Sequence, residues 1–261
     1  MASGEYAMKW GALSKAAITA LTAYSLSFSD SLSLNLQNIS EKLNYRLENG
    51  ELAKDSLAVT DYSQIKDLTK EIYAKLTGRH RLPGIAILDS EKFSEIKRAG
   101  SNIEDSISYS EFYSKARDSV YVKQKGFGEL MVIISHGIGH STDRDLAEWK
   151  GLEGKIAEEA KAIAFSRAWT EELSKHVFLD NDPSKSNVQF GRLQYEREDM
   201  PLHYVADLLV ERIKTEKPTF LDVYRTVITK DLDELIEYIK TDRTFIALKE
   251  KRITSRAYKG F

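Results

Sequence analysis

The stretch ELMVIISHGIGH, Glu129 to His140, decides how the rest of the chain is read. An apolar run, Leu130-Met131-Val132-Ile133-Ile134, leads into two histidines, His136 and His140, at i and i+4. On a helix that spacing puts both imidazoles on one face, about one turn apart. So apolar an approach predicts a buried helix, and buried imidazoles need partners. Gly137 and Gly139 stand inside the same helix, where each costs on the order of 1 kcal/mol relative to Ala. Glycines at that cost predict close approach of another backbone.

Downstream, GLEGKIAEEAKAIAFSRAW, residues 151–169, predicts a second helix that carries Glu158 and Glu159. Two histidines one turn apart, with a carboxylate from a following helix, make up a zinc site of three protein ligands and an open fourth position. Glu159 shares a helical stripe with Ile156 and Ile163, and Glu158 shares one with Ala162, Phe165 and Trp169. Both stripes are apolar, so helical phase does not choose between the two. The competing reading makes both glutamates solvated carboxylates favoured by the helix dipole, and the histidines a structural pair.

The segment resembles the zincin metallopeptidases of the gluzincin branch, and the ImmA/IrrE type in particular. There HExxH closes an apolar helix, and the third ligand lies in a downstream helix of E-A-x-x-F-A type. The counterparts here are His136-Gly137-Ile138-Gly139-His140 and Glu159-Ala160-Lys161-Ala162-Ile163-Ala164-Phe165. The likeness runs over roughly residues 83–175 and more faintly to about 213. It implies an α+β, mainly helical, zincin-like core with a small sheet ahead of the HxxxH helix. It also implies zinc on His136, His140 and Glu159, with Glu158 as the alternative third ligand, and a peptide or protein as substrate or partner. Residues near Ser119 to Lys123 take the role of the strand that borders the cleft and pairs with extended peptide. His203 and Tyr204, which open the helix after Pro201, take the role of oxyanion donors; their bland reading is a helix N-terminal turn. The longer HExxHxxGxxH pattern fails, because position 143 is Asp and position 146 is Leu.

One departure matters most. Where the family carries its general-base glutamate, this chain has Gly137. General acid–base help is worth about 10² to 10⁴ in rate, and glycine supplies none. Three accounts stay open: a pseudopeptidase that binds peptide, another carboxylate (Glu148, Glu153 or Glu158) reaching in, or a substitution in an active parent. A rival from another class is a non-catalytic helical interaction protein.

Composition narrows the rest. With 261 residues the chain is long enough for one large or two small domains, read here as an N-terminal helical region, 1–78, and a zincin-like domain, 79–261. A net charge of −2 offers no basic excess for nucleic acid. Without cysteine, any metal must rest on His, Asp or Glu, and the histidines are only His80, His136, His140, His176 and His203. The apolar stretch Trp10 to Phe28 is interrupted by Lys15 and reads as an amphipathic helix, and no run reaches the ~18 residues of a membrane span. The expectation is a cytoplasmic protein with no membrane contact.

Periodicity predicts further helices over 8–28, 30–49 (ended by Gly50), 62–76, 91–99 and 202–213, and a helical region over 219–248. It predicts a strand over 84–88 and a hairpin from 109–113 and 119–123. Asp143 and Asp145 could hydrogen-bond a ligand histidine, but read first as surface acids at a helix end. His80, between two arginines, reads as surface, and His176 as a helix-end residue.

Overall fold

In the computed structural model the described residues are 62–99, 111–143, 151–175 and 200–250, with short pieces at 34–35, 47–48, 51–52, 177–178, 193 and 195–197. The architecture is α+β and mainly helical, as expected. A three-stranded sheet is formed by β1 (Gly84–Leu88), β2 (Glu111–Ser114) and β3 (Ser119–Lys123). The expected hairpin is present: β2 and β3 pair antiparallel, from Glu111 opposite Val122 to Ser114 opposite Ser119. Strand β3 alternates as its sequence predicts, with Val120 and Val122 buried between more open neighbours.

Strand β1 lies parallel to β3, from Gly84 opposite Ser119 to Leu88 opposite Lys123. The sheet order is therefore β1-β3-β2, and Ser119–Lys123 is its central strand. This corrects the expectation that Ser119 to Lys123 borders the cleft, because a strand paired on both sides has no backbone groups left for a peptide. The strand that packs on the histidine helix from the sheet's edge is β2.

The helices are α1 (Lys66–Thr77), α2 (Ser90–Ala99), α3 (Phe127–Ser141), α4 (Leu152–Leu173), α5 (Pro201–Lys214), α6 (Phe220–Thr229), α7 (Leu232–Glu237) and α8 (Arg243–Lys249). Helix α1 stops where Gly78 turns left-handed at φ 69°, the position glycine fills without penalty. Pro201 sits at the start of α5, where its missing N–H is no loss. The region 219–248 is three short helices rather than one. Thr219 and Asp242 cap two of them by accepting backbone N–H groups.

Helix α4 is the axis of the molecule. Helices α1, α3, α5, α6 and α7 all pack on it, and Ile156, Ala160, Ile163, Phe165, Trp169 and Leu173 are buried around its circumference. Such a helix has no solvent face, which is why sequence phase failed to separate Glu158 from Glu159.

The predicted helix over 8–28 lies outside the described residues. Of the helix expected over 30–49, the described residues 34–35 and 47–48 are strand instead, and the remainder lies outside the described residues. Leu34–Asn35 pairs parallel with Val177–Phe178, and Leu47–Glu48 pairs antiparallel with Glu51–Leu52. The second pairing places Asn49-Gly50 between the strands, and Asn-Gly is the strongest short hairpin signal. Helix α1 shares the hydrophobic core with α4, and Lys75 forms an ion pair with Glu172 across them. Among the described residues no helix is long and apolar enough to cross a membrane.

Candidate metal centre

The centre exists because α3 and α4 come unusually close. A Cβ at Gly139 would lie 2.7 Å from Ala162 Cα and 3.0 Å from its carbonyl oxygen. Both are backbone atoms, so only glycine allows this approach. It brings the start of α4 against the two histidines of α3. Glu159 Oε2 stands 3.6 Å from His136 Nε2 and 3.7 Å from His140 Nε2. One ligand atom from each of the three residues lies within 4.8 Å of the other two.

The far nitrogens of both rings are occupied. His136 Nδ1 is hydrogen-bonded to Glu111 Oε1 from β2, and His140 Nδ1 lies 3.2 Å from Glu158 Oε1. Glu158 in turn meets the Lys161 ammonium at 2.9 Å. What remains is His136 Nε2, His140 Nε2 and Glu159 Oε2, all buried and all without a hydrogen-bond partner. Buried polar atoms are rarely left so. Three converging orphans, two of them on rings oriented by carboxylates, match the arrangement of a metal centre and its supporting hydrogen bonds. The His-His-Glu group is able to hold a metal ion.

Electrostatics follow from the crowding of carboxylates. Burial pulls the His136 pKa down, but the charge and hydrogen bond of Glu111, with Glu159 beyond, hold it above its ordinary value. Burial raises Glu159, and Glu158 and Glu111 add to this against the opposing pull of the two histidines. Burial also acts to raise Glu158, but His140 and Lys161 outweigh it and hold the carboxyl below its usual range.

His203, from the first turn of α5, brings its Nε2 to 3.4 Å from Glu159 Oε2, and its Nδ1 is buried without a partner. Burial first, and His136 second, push its pKa down to about 3, so the ring is a neutral imidazole. Tyr204, next to it in the sequence, is half-buried and packs against the hydrophobic core. The phenol that reaches the centre is Tyr195. Its ring stacks on His203 with centroids 5.2 Å apart, and its buried hydroxyl has no partner. Burial, with Glu111 and Glu159 nearby, holds its pKa well above the usual range. Tyr195 also lines a small cleft with Val132, His136, Ile163, Arg167 and Leu193.

At Gly137 the space for a side chain is taken. A Cβ there would clash with Val120 Cγ1, and Val120 is a fully buried residue of the central strand. Of the substitute bases expected, Glu153 faces away, paired with Lys249 at 3.0 Å. Glu158 is held by His140 and Lys161, and Glu148 lies outside the described residues. Asp143 does not support a ligand histidine: it bonds Arg79 at 2.6 Å and accepts from the Tyr224 hydroxyl. Asp145 and His176 lie outside the described residues, and His80 is exposed.

Sequence reasoning missed Glu111, Lys161 and Tyr195. Glu111 had one available signal, a carboxylate at an inward position of a predicted strand. Lys161 had the same signal in helical form, a cation inside an apolar stripe. No protein-family model, curated protein or solved structure matches the chain.

Proposed function

We propose that this chain binds one zinc ion on His136, His140 and Glu159, and is a metallopeptidase-like protein whose hydrolytic machinery is incomplete. The observation that carries the reading is the set of three buried, partnerless ligand atoms facing one another. Two nitrogens and one carboxylate oxygen suit zinc, and a bound ion there would supply a water of pKa near 7 and a polarised carbonyl. Glu111 and Glu158 fix which ring nitrogens face the ion, by accepting at the opposite ones. In this reading His203, beside Glu159, and Tyr195, stacked on His203, take the role of donors to a developing oxyanion. Of the substitute bases, Glu153 is engaged by Lys249 and Glu158 by His140 and Lys161, so neither stands ready to take a proton from the water.

Of the three accounts of the missing base, the packing supports a peptide- or protein-binding pseudopeptidase. Val120 fills the place a residue-137 side chain would enter, so the glycine is matched by its surroundings. The proposal retains a cytoplasmic setting and no nucleic-acid partner. A second reading, a helical interaction protein with a structural histidine pair, draws on the buried Glu111–His136 contact, which gives the His136 ring a partner without any metal.

Zinc content of protein purified without a histidine tag separates the two. About one zinc per chain is expected, with His136→Ala abolishing it and lowering the melting temperature only when zinc is present, because zinc stabilises the folded state by mass action. No zinc after incubation, or an equal loss of stability with and without zinc, leaves the structural-pair reading.

A further inference from the structure

Lys161 has no place in a three-ligand scheme, yet it is fully buried one turn from the centre. Its ammonium donates to His140 O at 3.3 Å and Thr142 O at 3.2 Å, at the C-terminal end of α3. It also meets Glu158 Oε1 at 2.9 Å, the oxygen that holds His140 Nδ1. Ammonium, carboxylate and imidazole thus form one chain that ends at the ligand atom His140 Nε2.

Among the described residues the centre gathers three carboxyl groups, Glu111, Glu158 and Glu159, around the two imidazoles; Glu111 is paired with the His136 ring, and Lys161 is the lysine ion-paired at the centre, through Glu158. Such a concentration of buried negative charge is hard to sustain without compensation. On the basis of the zinc reading above, we propose that Lys161 is the internal counter-cation of the metal-free centre. It supports the buried carboxylates when no ion is present, and it weakens zinc binding by its own charge. The site is thereby kept foldable when empty and open to metal exchange, where a cage without the lysine would depend on its metal.

Placed no more than about 10 Å from the ion along that chain, a unit charge alters the affinity for a dication by about tenfold or more at an effective dielectric of 20 to 40. A residue that only positioned His140 would have the opposite effect, since its loss would weaken binding. A residue that only filled space would leave zinc affinity alone.

Three variants separate these roles, read by zinc affinity in competition with a chelator and by melting with and without zinc. Lys161→Met is expected to bind zinc at least about tenfold more tightly, to melt lower when zinc-free, and to show a wider gap between its zinc-free and zinc-loaded melting temperatures. Glu158→Gln, which keeps an oxygen for His140 but removes one negative charge, is expected to bind at least about tenfold more weakly. The double variant restores the original charge, and its affinity should return to within about threefold of the parent. Lys161→Met with equal or weaker zinc binding, or with equal loss of stability in both states, overturns the proposal. If Lys161→Met does not fold without zinc, the double variant decides: near-parental affinity supports the counter-cation and a large loss overturns it. A parent chain that binds no zinc overturns the metal reading itself, whereas a zinc-binding parent whose variants show no such order overturns this inference alone.

Discussion

At Gly139, helix α3 meets the backbone of α4 at Ala162; at Gly137, about 200° around the same helix, it meets the side chain of Val120 on β3. The first contact draws a neighbouring helix close enough for Glu159 to face two histidines. The second closes the space in which a catalytic glutamate would stand. Both glycines answer to packing, yet one side of the helix assembles a binding site while the other limits what that site does. A glycine inside a motif thus records what lies against it as much as what has been lost from it.

The two contacts differ in how far they can yield, and substitutions test this. Gly139→Val should have the largest effect, because its side chain meets backbone that cannot rotate away. A loss of about 3 kcal/mol or more in denaturant unfolding, or failure to fold, is expected. Stable Gly139→Val protein with full zinc affinity would break the claim that helix proximity builds the centre.

Gly137→Glu should destabilise by about 1–3 kcal/mol, because Val120 is β-branched and buried. Adding Val120→Ala should recover part of that loss, although Val120→Ala alone costs about 1–2 kcal/mol. The zinc-loaded double variant is then the fair test of a restored base. It should cleave an unstructured protein faster than either its parent or Val120→Ala. No gain from a stable, zinc-loaded double variant would leave a binding module with no hydrolytic ancestry in its geometry. The smallest effect belongs to the third, solvent side of the helix. Lys125 and exposed Glu129 form an i,i+4 ion pair at 2.8 Å, and Lys125→Ala should shift stability by less than about 0.5 kcal/mol, with zinc affinity unchanged.

Much of this arrangement was legible in the chain because it is local. The histidine spacing, the buried approach and the unusual glycines all sit within one helix, and the β2–β3 hairpin follows from alternation around Ser-Lys-Ala-Arg-Asp. The position of β1 was not legible, since a parallel partner reached by a crossover leaves no mark on the strand it joins. That single pairing moved Ser119–Lys123 from the edge to the centre of the sheet. Glu158 and Glu159 could not be told apart because α4 is buried on every side, which removes the contrast between faces that phase depends on. Glu111 and Tyr195 come from segments remote in sequence; Glu111's inward place on a predicted strand marks it as buried but not what it faces, and nothing local marks Tyr195. At 34–35 and 47–48, where apolar spacing reads as helix, the described residues are strand, and the Asn49-Gly50 pair after Leu47–Glu48 is a local signal for that hairpin.

The closeness of the ligands along the chain bears on the order of assembly. His136, His140 and Glu159 all lie on the hairpin of α3 and α4, and Glu111 precedes it on β2. The entropy lost in closing a loop grows only with the logarithm of its length, and contacts near in sequence form fastest. During synthesis from the N-terminus, every group able to hold or orient an ion leaves the ribosome before α5, α6, α7 and α8, which pack on α4. A metal ion captured at that stage would pin two helices together before the core around them exists. The ion would then act first as a clamp on the nascent chain and only later as an occupant of a finished site.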